Sequence, residues 1–402
     1  MFQQLSRLSS DSILGLMAKY RADPSTRKVD LGVGVYRDLS GNTPILDCVR
    51  QAEKQVLAAQ TTKSYVAAAG REEFNTLVEE LVLGPQHPAR AERRVRTLQT
   101  PGGCGALRVG AELIRAATPT ATVHMSDPTW GNHAPLLGSS GLKLGRYPYY
   151  DAAAHTLRFD AMLQQLERAA SGDVVLIHAC CHNPTGADLL PAQWDTLAEL
   201  IQRRGLFPFL DLAYQGFGVS LEADAAAVRM VTQRLPEALI AVSYSKNLGL
   251  YRERVGALIS ISENAERADA VQSHVLQIAH SIYSMPPDHG AAIAAMVFAD
   301  AGLRRDWIVE LDAMRGRLQE MRALLAANLR DTTGGGDFDF IGSQRGMFSL
   351  LGVGQPVVER LRDKHHIYMT NDSRMNIAGI MPHNARYVAE AVAAELTAKE
   401  PA

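Results

Sequence analysis

At 402 residues the chain exceeds what one small hydrophobic core can organise, so two domains are expected. Its 41 Lys and Arg against 43 Asp and Glu leave a formal charge of -2, which argues against a nucleic-acid or anionic-membrane partner, and 47% hydrophobic with 21% charged residues excludes a disordered chain. Four cysteines, Cys48, Cys104, Cys180 and Cys181, make no disulfide framework and no C-x-x-C pair, so no metal is expected and a reducing, cytoplasmic setting fits.

Met1 to Leu16 lacks a basic start followed by an apolar block, and no apolar run approaches the ~18 residues that span a bilayer, so a soluble, unexported protein is expected. A short helix carries Leu14, Met17 and Ala18, with Ser10 or Asp11 as its cap and Pro24 as its limit. Val29 to Tyr36 reads as extended, with Gly32 and Gly34 where backbone must approach something closely. From Asp47 the pattern is helical, with Val49, Ala52 and Val56 on one face. A second helix follows Gly70, with Phe74, Leu77, Val78, Leu81 and Val82 at helical spacing and Gly84 as its stop.

From Val95 to about Ser260 short apolar runs alternate with helical stretches, the pattern of βαβ units and a largely parallel sheet. Thr100-Pro101-Gly102-Gly103-Cys104-Gly105 feeds a helix running to about Ala117. Such a turn offers free backbone N–H groups and a positive dipole end to a phosphate, although a plain tight turn has the same composition. It fails as a dinucleotide fingerprint, because Ala106, Leu107 and Arg108 stand where a third glycine is needed. Trp130 lies in a polar loop, where its ring either stacks on a flat cofactor or packs internally.

Three runs, Val174 to Ile177, Leu206 to Leu210 and Ala238 to Val242, end in Cys181-His182-Asn183-Pro184-Thr185-Gly186, Asp211-Leu212-Ala213-Tyr214 and Ser243-Tyr244-Ser245-Lys246. These polar ends recur every ~30 residues, one βαβ unit, so they should gather on one sheet edge, where ligands of open α/β sheets bind. Lys246 there can act as an amine nucleophile toward a carbonyl; the alternative is a solvated loop lysine. Asp211 is costly at a strand end unless paired, and a protonated ring nitrogen, an arginine or a helix terminus would each serve. Tyr214 and Asn183 can hydrogen-bond a ring hydroxyl, while Ser243, Ser245 and Arg254 suit a phosphate.

Beyond Pro286-Pro287 a long helix carries Leu303, Trp307, Leu311, Met314, Leu318, Met321, Leu325 and Leu329 between domains, until Gly334-Gly335-Gly336 breaks it. Phe338 to Phe340 and Met347 to Leu351 look like strands of a smaller α+β domain. Arg374 heads a further strand there and suits a bidentate grip on a carboxylate, with a salt bridge as the alternative. Tyr387, Val388, Ala391, Val392 and Leu396 form a closing amphipathic helix. A lysine for an imine, an acid for a pyridinium, a phenol and an amide for a ring hydroxyl, and a phosphate cup together describe pyridoxal 5'-phosphate.

The stretches Asn183-Pro184-Thr185-Gly186, Asp211-x-Ala213-Tyr214-Gln215-Gly216-Phe217, Ser243-Tyr244-Ser245-Lys246-Asn247-x-Gly249-Leu250-Tyr251-x-Glu253-Arg254 and Ser373-Arg374-Met375-Asn376 resemble the class I aspartate/aromatic aminotransferases, over essentially the whole chain. The resemblance implies the fold-type I α/β architecture: a large domain (43–315) with a mostly parallel seven-stranded sheet flanked by helices, a smaller α+β domain (316–402), and an N-terminal arm with part of the small domain (1–42). It implies a homodimer with shared sites, in which Tyr65 reaches the partner's phosphate and Ser284 lies in a cross-subunit segment. Gly34 and Phe348 match residues near the substrate, with Trp130, Asn183 and Arg374, and His133 matches a histidine behind the aspartate. Lys246 would hold the cofactor as an imine and, once displaced, move the α-proton, while Asp211 keeps the ring nitrogen protonated and a 2-oxo acid such as 2-oxoglutarate takes up the amine in ping-pong order.

Two departures bear on function. His280 stands three residues before Tyr283, where the family has an arginine for the distal carboxylate of aspartate or glutamate, and Met285 replaces a small polar residue. A histidine lacks the fork and is mostly neutral at pH 7. Losing that pair should cost on the order of 2–5 kcal/mol for a dicarboxylic substrate, which favours an aromatic or otherwise neutral side chain. An aspartate aminotransferase using His280 instead is the alternative, and a pyridoxal-phosphate lyase a more distant one. Cys104 stands where a hydroxyl commonly holds the phosphate, so weaker cofactor binding is expected.

Overall fold

The computed structural model describes residues 2–6 and 12–397. The expected caps Ser10 and Asp11 lie outside the described residues. The centre is a seven-stranded sheet: β1 (Val95–Pro101), β2 (Thr122–Asp127), β3 (Lys143–Pro148), β4 (Val174–His178), β5 (Phe207–Leu212), β6 (Ala238–Ser243) and β7 (Val255–Ile261). Its spatial order is β1-β7-β6-β5-β4-β2-β3, and β7 runs antiparallel to both neighbours while the other pairings are parallel.

Every residue of β4, β6 and β7 is buried, as a sheet covered by helices on both faces requires. Strand alternation divides these residues between two cores. Val175, Ile177, Leu210, Ile240 and Val242 pack on one face, and Val174, Leu176, Phe209, Leu239 and Ala241 on the other. The helices Asp47–Ala59, Glu72–Leu83 and Gly102–Ala117 form where the apolar spacing requires, and the second stops at Gly84 with φ +86°.

The helix Ala301–Thr333 is continuous and buries Leu303, Trp307, Leu311, Met314, Leu318, Met321, Leu325 and Leu329 along one stripe until Gly334 adopts the left-handed conformation. It runs unbroken through residue 315, where the large and small domains are expected to meet. Trp307 donates from Nε1 to the Asn247 carbonyl at 2.7 Å, which fixes the loop that follows Lys246. Among the described residues no helix is long and apolar enough to cross a membrane.

Three expectations need correction. The helix Ser12–Ala22 turns Leu16 inward and leaves Leu14 64% exposed and Ala18 exposed, so the buried face differs from the one expected. Of the segment Val29 to Tyr36, only Val29–Asp30 is strand, paired in parallel with Ile367–Tyr368; Asp30 Oδ1 then accepts from the Gly32 and Val33 N–H groups and turns the backbone away. Phe338 to Phe340 is not a strand. It is a turn leading into the helical segment Phe340–Ser343, in which both phenylalanines pack on His155, with the Phe340 ring stacked at 3.8 Å; their spacing of two reflects that shared contact. The strand Phe348–Leu350 does form, antiparallel to Arg374–Asn376.

Candidate active site

The carboxyl ends of β4, β5 and β6 and the glycine turn after β1 converge on one cavity of about 250 Å³. Gly34, Gly103, Cys104, Trp130, Asn183, Asp211, Tyr214, Ser243, Ser245, Lys246, Arg254, Phe348 and Arg374 line it. Parallel register explains the gathering, because each strand delivers its polar end to the same edge. Gly102 lies just behind the wall. A β-carbon at Gly102 (φ +69°) would stand 2.4 Å from Arg254 Nη2, so only glycine lets the guanidinium close over the turn. Ser243 Oγ donates to Ser245 Oγ at 3.2 Å and Arg254 Nη1 to Ser245 Oγ at 3.3 Å, a donor cluster facing the N-terminus of the helix Gly102–Ala117. Cys104 Sγ accepts only a long contact from Asn132 Nδ2 at 3.9 Å.

Asp211 is buried at the cavity floor. His133 Nε2 lies 3.0 Å from its Oδ2, and since a carboxylate only accepts, that nitrogen carries the proton. Thr129 Oγ1 meets the other ring nitrogen at 2.8 Å. Burial works to raise the Asp211 pKa, but the hydrogen bond from His133 and the positive charge nearby outweigh it and hold the group below its ordinary value. His178 is 3.9 Å away and, through burial, titrates only at about 3, so it adds no charge at neutral pH. The ligand atoms of His133, His178 and Asp211 lie within 4.8 Å of one another, an arrangement that could hold a metal ion. The hydrogen bond already made between His133 and Asp211 reads better as electrostatic backing for the carboxylate.

Lys246 is half-buried, its Nζ 4.8 Å from the centre of the Tyr214 ring. Burial lowers its pKa, and Arg254 and Arg374 push the same way against the opposing pull of Asp211. The result is an amine biased toward its neutral, nucleophilic form. Tyr214 O–H receives Asn183 Nδ2 at 3.4 Å. Arg374 donates from Nη2 to the Gly32 carbonyl at 2.9 Å and from Nη1 to Asn183 Oδ1 at 3.4 Å, with its Cζ 4.5 Å above the Phe348 ring. Trp130 stands edge-on to His133 at 5.3 Å. These residues fit pyridoxal phosphate: a lysine amine whose pKa is lowered, an ionised acid for the ring nitrogen, and a glycine-floored cluster of donors for the phosphate.

Tyr65, His280 and Ser284 do not line the cavity of this chain. Tyr65 is 88% exposed, and His280 and Ser284 are exposed at the end of the helix Ala265–Tyr283. Ile13, Leu107, His178 and Tyr251 line it without having been singled out. His178 was legible in principle, since it pairs in register with Asp211 at the end of the neighbouring strand. Tyr251 O–H accepts the Tyr36 N–H at 2.8 Å, a contact 215 residues apart in sequence.

Burial keeps His178 and His182 neutral, at about 3 for the former and well below 6.5 for the latter. Unfolded histidines protonate near 6.5, so below that pH the unfolded chain binds more protons and stability falls as pH drops toward 3. Each ring should withdraw up to ~1.4 kcal/mol per pH unit. Urea unfolding at pH 7, 6 and 5 should show this loss, and His182→Asn should flatten it by about one proton; an unchanged slope would contradict the assignment.

Residues 26–392 match the family of aminotransferase classes I and II. The chain is 43% identical to an aromatic-amino-acid aminotransferase of Paracoccus denitrificans, over 98% of this chain and 99% of that one. It is also 43% identical to an aspartate aminotransferase of Escherichia coli (strain K12), over 98% and 100%. The crystal structure of an aromatic-amino-acid aminotransferase from Burkholderia pseudomallei, covalently bound to pyridoxal phosphate, superimposes with a TM-score of 0.96 at 42% identity, covering 99% of this chain and all of the other.

Proposed function

The chain belongs to the aminotransferase class I and II family and is a pyridoxal phosphate-dependent transaminase; from that premise we propose that its amino donor is an aromatic or otherwise neutral L-amino acid. Identity does not separate the candidates, since relatives named for aromatic amino acids and for aspartate are equally similar. His280 carries the choice. It occupies the last turn of the helix Ala265–Tyr283, at the position of the arginine that pairs with a distal carboxylate, and it offers neither the fork nor a permanent charge.

Bound in the cavity, pyridoxal phosphate supplies an electron sink for the substrate α-carbon. Lys246 would hold the cofactor covalently until the substrate amine displaces it, and the freed amine would then take the α-proton and return it on the other side of the transfer. Asp211, kept ionised by His133, holds the proton on the ring nitrogen. Asn183 and Tyr214 would hydrogen-bond the ring hydroxyl, Trp130 would cover the ring, and Gly102, Gly103, Cys104, Ser243, Ser245 and Arg254 would hold the phosphate. Arg374 grips the substrate carboxylate between Gly34 and Phe348. A homodimer completes the site, with Tyr65 and His280 each serving the partner's cavity. The exposure of Tyr65, of Leu57 at 58% and of Ile282 at 45% supports that pairing. The four free cysteines fit a cytoplasmic location.

His280→Arg tests the specificity reading. It should raise kcat/KM for aspartate by roughly 30-fold to several thousand-fold, the kinetic equivalent of about 2–5 kcal/mol, and leave phenylalanine within a few-fold. An aspartate rate already high in the wild type and unmoved by the substitution favours the second reading, an aspartate aminotransferase. A lyase is distinguished by oxo acid formation that continues without an acceptor.

A further inference from the structure

Arg322 has no place in the transfer chemistry, yet it is 1% exposed and makes six hydrogen bonds. It projects from the middle of the helix Ala301–Thr333, and among the described residues no carboxylate pairs with it. Its guanidinium is instead spent on one short segment of backbone. Nη2 donates to the carbonyls of Phe348 at 2.6 Å, Gly346 at 2.9 Å and Arg345 at 3.1 Å; Nη1 donates to Ser349 Oγ at 2.6 Å and the Ile341 carbonyl at 3.1 Å; Nε reaches Gly346 at 3.3 Å. Burying a cation with no carboxylate in direct contact is costly, and burial draws its pKa down to about 10 against the more distant pull of Asp188. A planar fork that satisfies the carbonyls of Ile341, Arg345, Gly346 and Phe348 is the compensation, and no other side chain presents that many donors in one plane.

The segment it holds carries Phe348, whose ring meets three parts of the cavity. Arg374 Cζ lies 4.5 Å above the ring, Tyr214 stands perpendicular to it at 6.1 Å, and a β-carbon at Gly34 would be 3.1 Å from its tip. On the far side the Phe348 carbonyl sits over Gly186, where a β-carbon would be 2.3 Å away, and Arg345 N–H donates to the Gly186 carbonyl at 2.8 Å. The turn is therefore clamped between Arg322 and the loop that carries Asn183. We propose that Arg322 is a positioning residue for substrate binding: it fixes Phe348, and through that ring the Arg374 guanidinium, without touching substrate or cofactor. This rests on the reading of Arg374 as the grip on the substrate carboxylate.

The test uses holoenzyme variants. Arg322→Lys keeps the charge and loses the fork. It should raise KM for phenylalanine, and the inhibition constant of the unreactive carboxylate 3-phenylpropionate, by roughly tenfold, a fraction of the ~10²-fold that a full 1 Å misplacement far from the chemistry can cost. Cofactor affinity, measured by absorbance titration, and kcat should stay within a few-fold. Ser349→Ala, which removes a single acceptor and preserves the carbonyl set, should give a smaller rise of the same kind and covers the case in which the lysine variant does not fold. Unchanged constants in the folded variants overturn the proposal, as does a parallel loss of kcat, cofactor affinity and KM, which is the mark of a role in folding alone. Arg374→Lys separates the premise: if it leaves the inhibition constant unchanged, the carboxylate grip is what failed; if it raises the constant while the Arg322 and Ser349 variants do not, the positioning role is what failed.

Discussion

Lys246→Ala should abolish transamination, lowering kcat by roughly 10⁴-fold or more, the upper range for loss of a positioned general base together with its covalent role. The reasoning begins with burial. Desolvation together with the Arg254 and Arg374 guanidiniums depresses the Lys246 pKa against the pull of Asp211. That shift favours the neutral amine, which can attack a carbonyl and later accept a proton. The alanine variant should still take up cofactor through Ser243, Ser245 and Arg254 but release it on dialysis, because the covalent attachment is gone. Folding should change little, since alanine leaves the loop anchored by Trp307 to Asn247. Retained activity in the variant would remove the basis of the assignment.

Asp211→Asn should lower kcat by about 10²–10³-fold, the typical cost of removing one preorganised electrostatic group from a water-excluded site. Asparagine has the same shape, and its carbonyl can still accept from His133 Nε2, which now approaches Asp211 at 3.0 Å. What disappears is the negative charge proposed to face the ring nitrogen. The expected signature is therefore a fall in kcat with little change in the KM of the amino acid, since Arg374 and Phe348 are untouched. Comparable losses in both constants, or none in either, would show that the carboxylate serves another purpose.

The parts of the fold legible in sequence were those written in apolar spacing. β4, β5 and β6 announced themselves as short apolar runs, and their polar ends named the sheet edge on which Asn183, Asp211 and Lys246 meet. The inward face of the helix Ser12–Ala22 was not legible, because Leu14 and Leu16 are equally apolar and tertiary packing alone chose Leu16. Phe338 and Phe340 imitated strand alternation, when their common contact with His155 set the spacing. Tyr251 and Arg322 escaped for a different reason. Their partners are a backbone N–H and backbone carbonyls, which leave no residue-type signature in the chain. His280 is legible only through resemblance, since its own cavity would be the partner's.

The single most direct measurement is the ratio of kcat/KM for phenylalanine to that for aspartate in the wild-type holoenzyme, with a saturating 2-oxo acid acceptor. The absence of a charged fork at residue 280 predicts phenylalanine ahead by roughly 30-fold or more, the lower end of a 2–5 kcal/mol loss for a distal carboxylate. A ratio at or below unity would contradict the account and assign the chain to aspartate.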